Sequence, residues 1–210
     1  MAVSQFGEPR GVRGWLAAHL VARLTGDANR WMVDCLEVER GDRVLDVGCG
    51  PGLAVAYAAE RSDGPVVGVD ASATMVRQAL RRNRDAVRQG RVEILRADAA
   101  RLPFPDGHFS TAGSLNSLQF WAAPDQGLRE LSRVLEPGGR VAVVLMARSD
   151  DSTGPEPPRW VRETTRRMQD AGFEHLHVVD RTFGGVLHRA LLGTGRGKRV
   201  APHSTPRRTG

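Results

Sequence analysis

The feature that most constrains the fold is a short apolar run that ends in closely spaced glycines. Val44–Val47 is followed by Gly48-Cys49-Gly50-Pro51-Gly52, and a helical pattern over Leu53–Arg61 begins directly afterwards. Glycines in such a strand–turn–helix unit let the backbone turn tightly and approach a ligand closely. Open α/β sheets bind ligands at this point, outside the carboxyl end of a strand. The segment therefore predicts a ligand-binding loop, with a tight turn that holds no ligand as the alternative.

Strand-like and helical patterns alternate along the rest of the chain. The predicted strands are Arg43–Val47, Pro65–Val69, Arg91–Leu95, Ser110–Leu115, Arg140–Met146, His175–Asp180 and Val186–Leu192. The predicted helices are Leu53–Arg61, Ser72–Arg88, a segment around Leu128–Leu135 that a turn at Glu136–Gly139 ends, and Arg159–Ala171. Such alternation is typical of βαβ units. We predict an α/β fold with a doubly wound, seven-stranded sheet, mostly parallel and closed by a C-terminal antiparallel hairpin.

The two ends of the chain differ from this central part. Residues 1–42 read as two helices, which we expect to cover the active site at the carboxyl ends of the strands. The first contains Trp15, and Asp27 caps the second. Residues 43–192 form the predicted ligand-binding domain. Residues 193–210 contain five basic residues and no acid, and we expect a disordered basic tail.

Composition limits the class of protein. The chain has 210 residues, of which 40% are hydrophobic and 26% charged, as in a soluble domain. No apolar run approaches the ~20 residues of a membrane helix, and no secretory signal or disulfide framework is evident with two cysteines. Most of the net charge of +6 lies in the tail. We therefore expect a cytoplasmic protein, a monomer or homodimer, with no specific nucleic-acid partner and no membrane partner.

Three common site types do not match the glycine loop. A dinucleotide fingerprint needs glycine at position 53, which is Leu53. No Lys and Ser/Thr pair follows the glycines, which excludes a phosphate-binding P-loop, and no Gly-x-Ser-x-Gly elbow is present.

Four segments together resemble the class I S-adenosylmethionine-dependent methyltransferases, of the small-molecule type that includes quinone-biosynthesis enzymes. The resemblance extends over Trp31–Leu192. The matching segments are Val44–Gly52, Val66–Asp70, Ala97–Phe109 (with Asp98-Ala99 at its start) and Leu135–Val141. The resemblance implies a Rossmann-like fold, S-adenosylmethionine (SAM) as cofactor and methyl transfer to a small molecule.

The resemblance also implies roles for individual residues. Asp70 would accept the ribose hydroxyls, Asp98 would accept a hydrogen bond from the adenine amino group, and Asp46 would orient the loop and the methionine end. The full implied cofactor set is Asp46, Gly48, Cys49, Gly50, Gly52, Asp70, Ala71, Asp98 and Ala99. No metal ligand set is expected.

The acceptor side is less well defined by the sequence. Asn116, Gln119 and Trp121 follow the fourth strand and are our candidates for the catalytic pocket, with His19 as a candidate base. Gln119 stands where relatives often have histidine, and Ser110 where they often have an acid. Trp121 could equally pack in the core.

Three other functions remain open at this stage. The chain could be a SAM-binding module without catalysis, which an absence of turnover would show. A nicotinamide-dependent oxidoreductase is disfavoured by Leu53 and Asp98. An RNA or protein methyltransferase is disfavoured because the charge outside the tail is close to neutral.

Overall fold

A computed structural model describes residues 26–147 and 157–197 of the chain. The first helix, α1, covers residues 26–35. The other helices are α2 (Leu53–Arg61), α3 (Ala73–Arg82), α4 (Arg84–Arg88), α5 (Pro124–Val134) and α6 (Arg159–Asp170). The strands are β1 (Val44–Val47), β2 (Val66–Asp70), β3 (Val92–Arg96), β4 (Phe109–Leu115), β5 (Leu135–Met146), β6 (Phe173–Phe183) and β7 (Val186–Gly195). No helix in these two ranges is both long and apolar enough to span a membrane.

Within the described residues the strands form one seven-stranded sheet in the order β3-β2-β1-β4-β5-β7-β6. β1 to β5 pair in parallel, and β7 pairs antiparallel with both β5 and β6. The predicted fold class is confirmed, including the closing hairpin. The strand order reverses between β1 and β4, and a doubly wound sheet binds its ligand at this reversal.

Helices on both faces explain why the central strands are largely apolar. All four residues of β1 are buried. Val44 packs in one cluster with side chains of α1, α2 and α3, whereas Leu45 packs in a second cluster with side chains of α5 and α6. A parallel strand covered on both sides has no solvated face, so its sequence lacks polar alternation.

Helix α1 packs on the face of the sheet, above the centre of β4. A Cβ on Gly113 would lie 2.9 Å from Cε of Met32 and 3.2 Å from Cδ1 of Leu36, so glycine leaves room for the helix. The prediction that Asp27 caps this helix is wrong, because residues 26 and 27 are already helical. Trp15 and His19 lie outside the described residues, and the expected cover over the active site stays a prediction.

The predicted helix over Ser72–Arg88 divides in two at Asn83. The Asn83 side chain is 5% exposed and donates to the carbonyl of Ala79 (2.9 Å) and to that of Gly52 (3.1 Å). The side-chain amide therefore ends α3 and connects it to the glycine loop. The Ser72 hydroxyl accepts from the Met75 amide (3.4 Å), as its predicted capping role requires.

The end of the sheet away from the glycine loop is held by a polar cluster around Asp42. This carboxylate accepts from the Ser110 hydroxyl (2.7 Å) and forms an ion pair with Arg140. An acid at position 110 would lie beside Asp42, which gives a physical reason for serine at that position. Ser110 therefore stabilises the fold at the edge opposite the candidate site.

Strand β7 is longer than predicted and ends at Gly195. Gly193 pairs with Val141, and Thr194, which is 6% exposed, pairs with Arg140. Residues 193–195, which we expected in the basic tail, therefore belong to the sheet. The error arose because two glycines in three residues have low strand propensity, which pairing on both sides overrides.

A matched pair of truncations tests this strand end. A chain that ends at Leu192 loses the pairs of residues 193–195 with β5 and β6, whereas a chain that ends at Gly197 keeps them. Two net hydrogen bonds correspond to about 2 kcal/mol, or about 5 °C for a protein of this size. We expect thermal melts to show this loss for the first chain only. Equal melting temperatures for the two truncated chains would contradict the assignment of residues 193–195 to β7.

Candidate functional site

The glycine loop after β1 combines one closely packed glycine with one open glycine. Gly52 has φ +79°, and a Cβ there would lie 2.9 Å from Cβ of Ala79. Gly50 has φ +52°, and a Cβ there would have no atom within 4 Å. Both positions need glycine for the left-handed backbone. Only Gly50 borders open space, so a ligand can approach the backbone there.

Three side chains hold the loop in place. Oδ2 of Asp70, at the end of β2, accepts from the Gly50 amide (2.9 Å), and its Oδ1 accepts from the Ser72 amide (2.8 Å). Nε of Arg82 donates to the Pro51 carbonyl (2.9 Å). Asn83 holds the next carbonyl, that of Gly52, as described above. Each Asp70 oxygen has a further lone pair for a ligand hydroxyl.

The contributions of Arg82 and Asn83 were missed from the sequence. They lie 31 residues beyond their partners, at the end of a helix where an arginine and an asparagine are ordinary surface residues. Only the packing of α3 against the loop brings these groups together.

Asp46 is a buried carboxyl group without a hydrogen-bond partner among the described residues. It is 4% exposed, and its neighbours in register are Gly68 on β2 and Gly113 on β4. Burial, and to a lesser degree the nearby Asp70, raise the pKa of Asp46 to about 7. A buried acid with no partner is costly. The site therefore offers an unused acceptor beside the glycine loop, which suits a cationic or hydrogen-bond-donating ligand group.

The remaining predicted cofactor residues lie along the same edge of the sheet. Asp98 follows β3 and is exposed, with Oδ1 accepting from the Ala100 amide (2.9 Å). Ala99 is 8% exposed, and the Ala71 carbonyl accepts from Nε of Arg96 (3.0 Å). Burial also raises the pKa of the Cys49 thiol, so it stays protonated and is a poor nucleophile.

One carboxyl group therefore lies in or just after each of the neighbouring strands β1, β2 and β3. Since adjacent strands are about 4.8 Å apart, Asp46, Asp70 and Asp98 extend over roughly 10 Å from the centre of the sheet to its edge. An elongated ligand fits this row if it has a cationic or donor group at Asp46, hydroxyl groups at Asp70 and an N–H donor at Asp98.

The segment after β4 is fixed by backbone contacts. Asn116 has φ +51°, its amide donates to the Val144 carbonyl (2.8 Å), and its Oδ1 accepts from the Met146 amide (2.7 Å). Nε2 of Gln119 donates to the Asn116 carbonyl (2.9 Å). Asn116 thus joins the carboxyl ends of β4 and β5 and places Gln119, which is exposed, at the rim.

Ser117 brings this segment against the glycine loop. A Cβ on Gly48 would lie 1.7 Å from Oγ of Ser117, so the serine hydroxyl occupies the space that a side chain at position 48 would fill. The same Oγ accepts from Nε1 of Trp121 (2.9 Å). Ser117 was not among the predicted residues, because only the packing of this segment against the loop brings its hydroxyl next to Gly48.

Trp121, a candidate for the catalytic pocket, packs against helix α5, and its role in the pocket stays a prediction. A Cβ on Gly127 would lie 2.4 Å from Cε3 of the indole and 3.4 Å from Cβ of Ala99, so the ring packs between α5 and the loop after β3. Together with the Ser117 hydrogen bond, this packing makes Trp121 a structural support of the segment. The neighbouring Phe120 is 72% exposed.

Comparison with known proteins identifies the class. The methyltransferase domain family matches residues 45–143. The ubiquinone/menaquinone biosynthesis C-methyltransferase UbiE of Yersinia enterocolitica is 36% identical in an alignment that covers 77% of this chain and 78% of that protein. The methyltransferase YdaC of Bacillus subtilis is 27% identical over 164 residues, which cover 78% and 88%. The chain therefore belongs to the methyltransferase family.

The fold agrees with that assignment. A SAM-dependent methyltransferase from Aquifex aeolicus matches with a TM-score of 0.61 and 23% identity, covering 75% of this chain and 84% of that chain. Several other relatives are longer, and this chain spans 32–39% of their length. The resemblance noted from the four sequence segments is confirmed: the protein is a class I methyltransferase, and SAM is the cofactor of this class.

The raised pKa of Asp46 predicts how the stability of the protein depends on pH. Because its folded pKa is raised above the unfolded value, the folded state binds the extra proton, and this group lowers stability as pH rises from about 4 to about 7. Asp46→Asn removes that loss. We expect the variant without cofactor to melt above the wild type at pH 8, with a smaller difference at pH 5. A variant less stable than wild type at pH 8 would contradict the unpartnered carboxylate.

A second prediction separates ligand approach from backbone strain. Gly50 and Gly90 both have positive φ, and a Cβ on either would have no atom within 4 Å. Gly90, however, lies in the turn before β3, away from the loop. Alanine at either position costs about 1–2 kcal/mol in the left-handed region. We expect Gly50→Ala to weaken SAM binding at least tenfold in calorimetry and Gly90→Ala to leave it unchanged. Equal SAM affinities for the two variants would show that the cofactor does not approach Gly50.

Proposed function

We propose that the chain binds SAM along the row of Asp46, Asp70 and Asp98 and transfers its methyl group to a small-molecule acceptor beside the segment after β4. The observation that supports this best is the buried, unpartnered Asp46 carboxyl next to the open approach at Gly50. The full proposed cofactor set is the one predicted from the sequence, with Ser117 added as the residue that packs against Gly48.

Bound SAM would supply an electrophilic methyl group on a sulfonium, which needs no metal or covalent catalyst. The protein must hold the acceptor in line with that methyl and exclude water. Asn116 and Gln119 suit this positioning role because the hydrogen bonds of Asn116 to the ends of β4 and β5 fix the segment. His19 as a general base stays a proposal, since it lies outside the described residues.

The name of the Yersinia relative supports a small acceptor in this chain too. That protein is named for carbon methylation in ubiquinone and menaquinone biosynthesis. We infer a small organic acceptor on this ground, with the acceptor atom to be determined from the product.

The direct test is calorimetry with SAM and NAD on wild type and Asp70→Ala. Loss of hydrogen bonds to a charged group corresponds to roughly 1.5–3 kcal/mol, so we expect SAM binding to weaken at least tenfold. Asp63→Ala is the matched control, because Asp63 pairs with Arg40 in solvent. We expect no saturable NAD binding to wild type.

Turnover separates an enzyme from a binding module. The purified chain is incubated with SAM and a panel of phenols, quinols, amines and thiols, and S-adenosylhomocysteine is quantified by mass spectrometry. Formation with at least one acceptor supports the proposal. Tight SAM binding with no product from any of the four classes would favour a non-catalytic module, and unchanged SAM affinity in folded Asp70→Ala would overturn the cofactor site.

A further inference from the structure

A small cavity lies on the acceptor side of the sheet, between the segment after β4, the end of β5 and helix α6. It has a volume of about 200 Å³. Its apolar walls are Leu118, Leu145, Met146 and the indole of Trp160. This volume is below the roughly 300–1,000 Å³ typical of sites for drug-sized ligands, so one ring or two fused rings fill it.

The cavity adjoins the proposed cofactor loop. Ser117 occupies the space in front of Gly48, and the next two residues, Leu118 and Gln119, line the cavity. The β4 segment therefore contacts the loop with one residue and the cavity with the following two. The cavity therefore lies at the carboxyl ends of β4 and β5, on the same edge of the sheet as the glycine loop.

Among the described residues, the charged side chains Glu163 and Arg167 at the cavity each form an ion pair. At the rim, Glu163 accepts from Nε of Arg159 (2.7 Å), and Arg167 pairs with Asp125 (3.3 Å). Further in, the Thr164 hydroxyl donates to the Trp160 carbonyl within α6 (2.8 Å). An ionised group placed against the apolar walls would lose hydration, which is costly. The interior therefore favours an uncharged molecule.

Gln119 supplies one directional contact. Its Nε2 donates to the Asn116 carbonyl, which leaves the side-chain oxygen as the acceptor at the rim. An O–H or N–H group on the bound molecule can donate to that oxygen. A purely hydrocarbon ligand would leave it unused.

We propose that this cavity binds the methyl acceptor, and that the acceptor is an uncharged, planar molecule of one or two rings with an O–H or N–H group directed to Gln119. The proposal rests on the proposed function. Transfer breaks the sulfur–methyl bond and leaves a thioether, joins that methyl to a nucleophilic oxygen, nitrogen or ring carbon of the acceptor, and releases the proton of that atom to solvent.

The test measures binding of 2-naphthol and 2-naphthoate to the full chain loaded with S-adenosylhomocysteine, by calorimetry. The two probes share the ring system and differ in charge at neutral pH. We expect 2-naphthol to bind at least tenfold more tightly. Trp160→Ala removes one wall and should weaken 2-naphthol binding at least tenfold, whereas Trp160→Phe keeps a flat ring and should stay within threefold of wild type.

Gln119→Ala should weaken 2-naphthol binding about fivefold. Its control is Gln126→Ala, because Gln126 lies on α5 and bonds to Arg129 (3.0 Å), outside the cavity. Equal affinity for the two probes, or unchanged 2-naphthol binding in Trp160→Ala, would overturn the proposal. Failure of S-adenosylhomocysteine to bind the wild type would instead contradict the proposed function, so the two failures are distinguishable.

Discussion

The hydrogen bond between the Gly50 amide and the Asp70 carboxylate determines the geometry on which the site depends. It joins the loop after β1 to the end of β2, so that the two strands present one continuous surface to a ligand. Because Oδ1 of Asp70 also accepts from the Ser72 amide, the same carboxylate sets the start of α3. Helix α3 in turn holds the loop from the other side through Asn83. The loop is therefore preorganised before any ligand binds, which lowers the entropic cost of binding.

Asp46 shows what this preorganisation costs the protein. Its neighbours in register, Gly68 and Gly113, provide no side chain that could donate to it. The apo protein therefore keeps a carboxyl group whose raised pKa reflects poor solvation. Polar groups that destabilise the free protein are common where a ligand later satisfies them.

The sequence was sufficient to predict the sheet and to place the candidate cofactor residues along one edge of it, because both depend on local patterns. Apolar runs, their spacing and the glycines at positions 48, 50 and 52 are all visible in a single segment or in its repetition. The contacts of Asn83, Ser117 and Trp160 could not be predicted, because they depend on how α3, the β4 segment and α6 pack. Trp121 was ambiguous for the same reason: an indole next to a site can line the pocket or support it, and its contact with Gly127 is not visible in the sequence.

The two halves of the sheet border different parts of the candidate site, and Ser117 connects the two parts. The half formed by β1, β2 and β3 contains the three aspartates and the glycine loop, whereas the half formed by β4 and β5 borders the cavity with α6. Replacing wall residues on α6 would alter the cavity without touching any of the hydrogen bonds that hold the loop. Ser117 is different, because its hydroxyl both fills the space at Gly48 and accepts from Trp121. A change at Ser117 therefore disturbs both halves at once, whereas Trp160 borders the cavity on the side of β4 and β5.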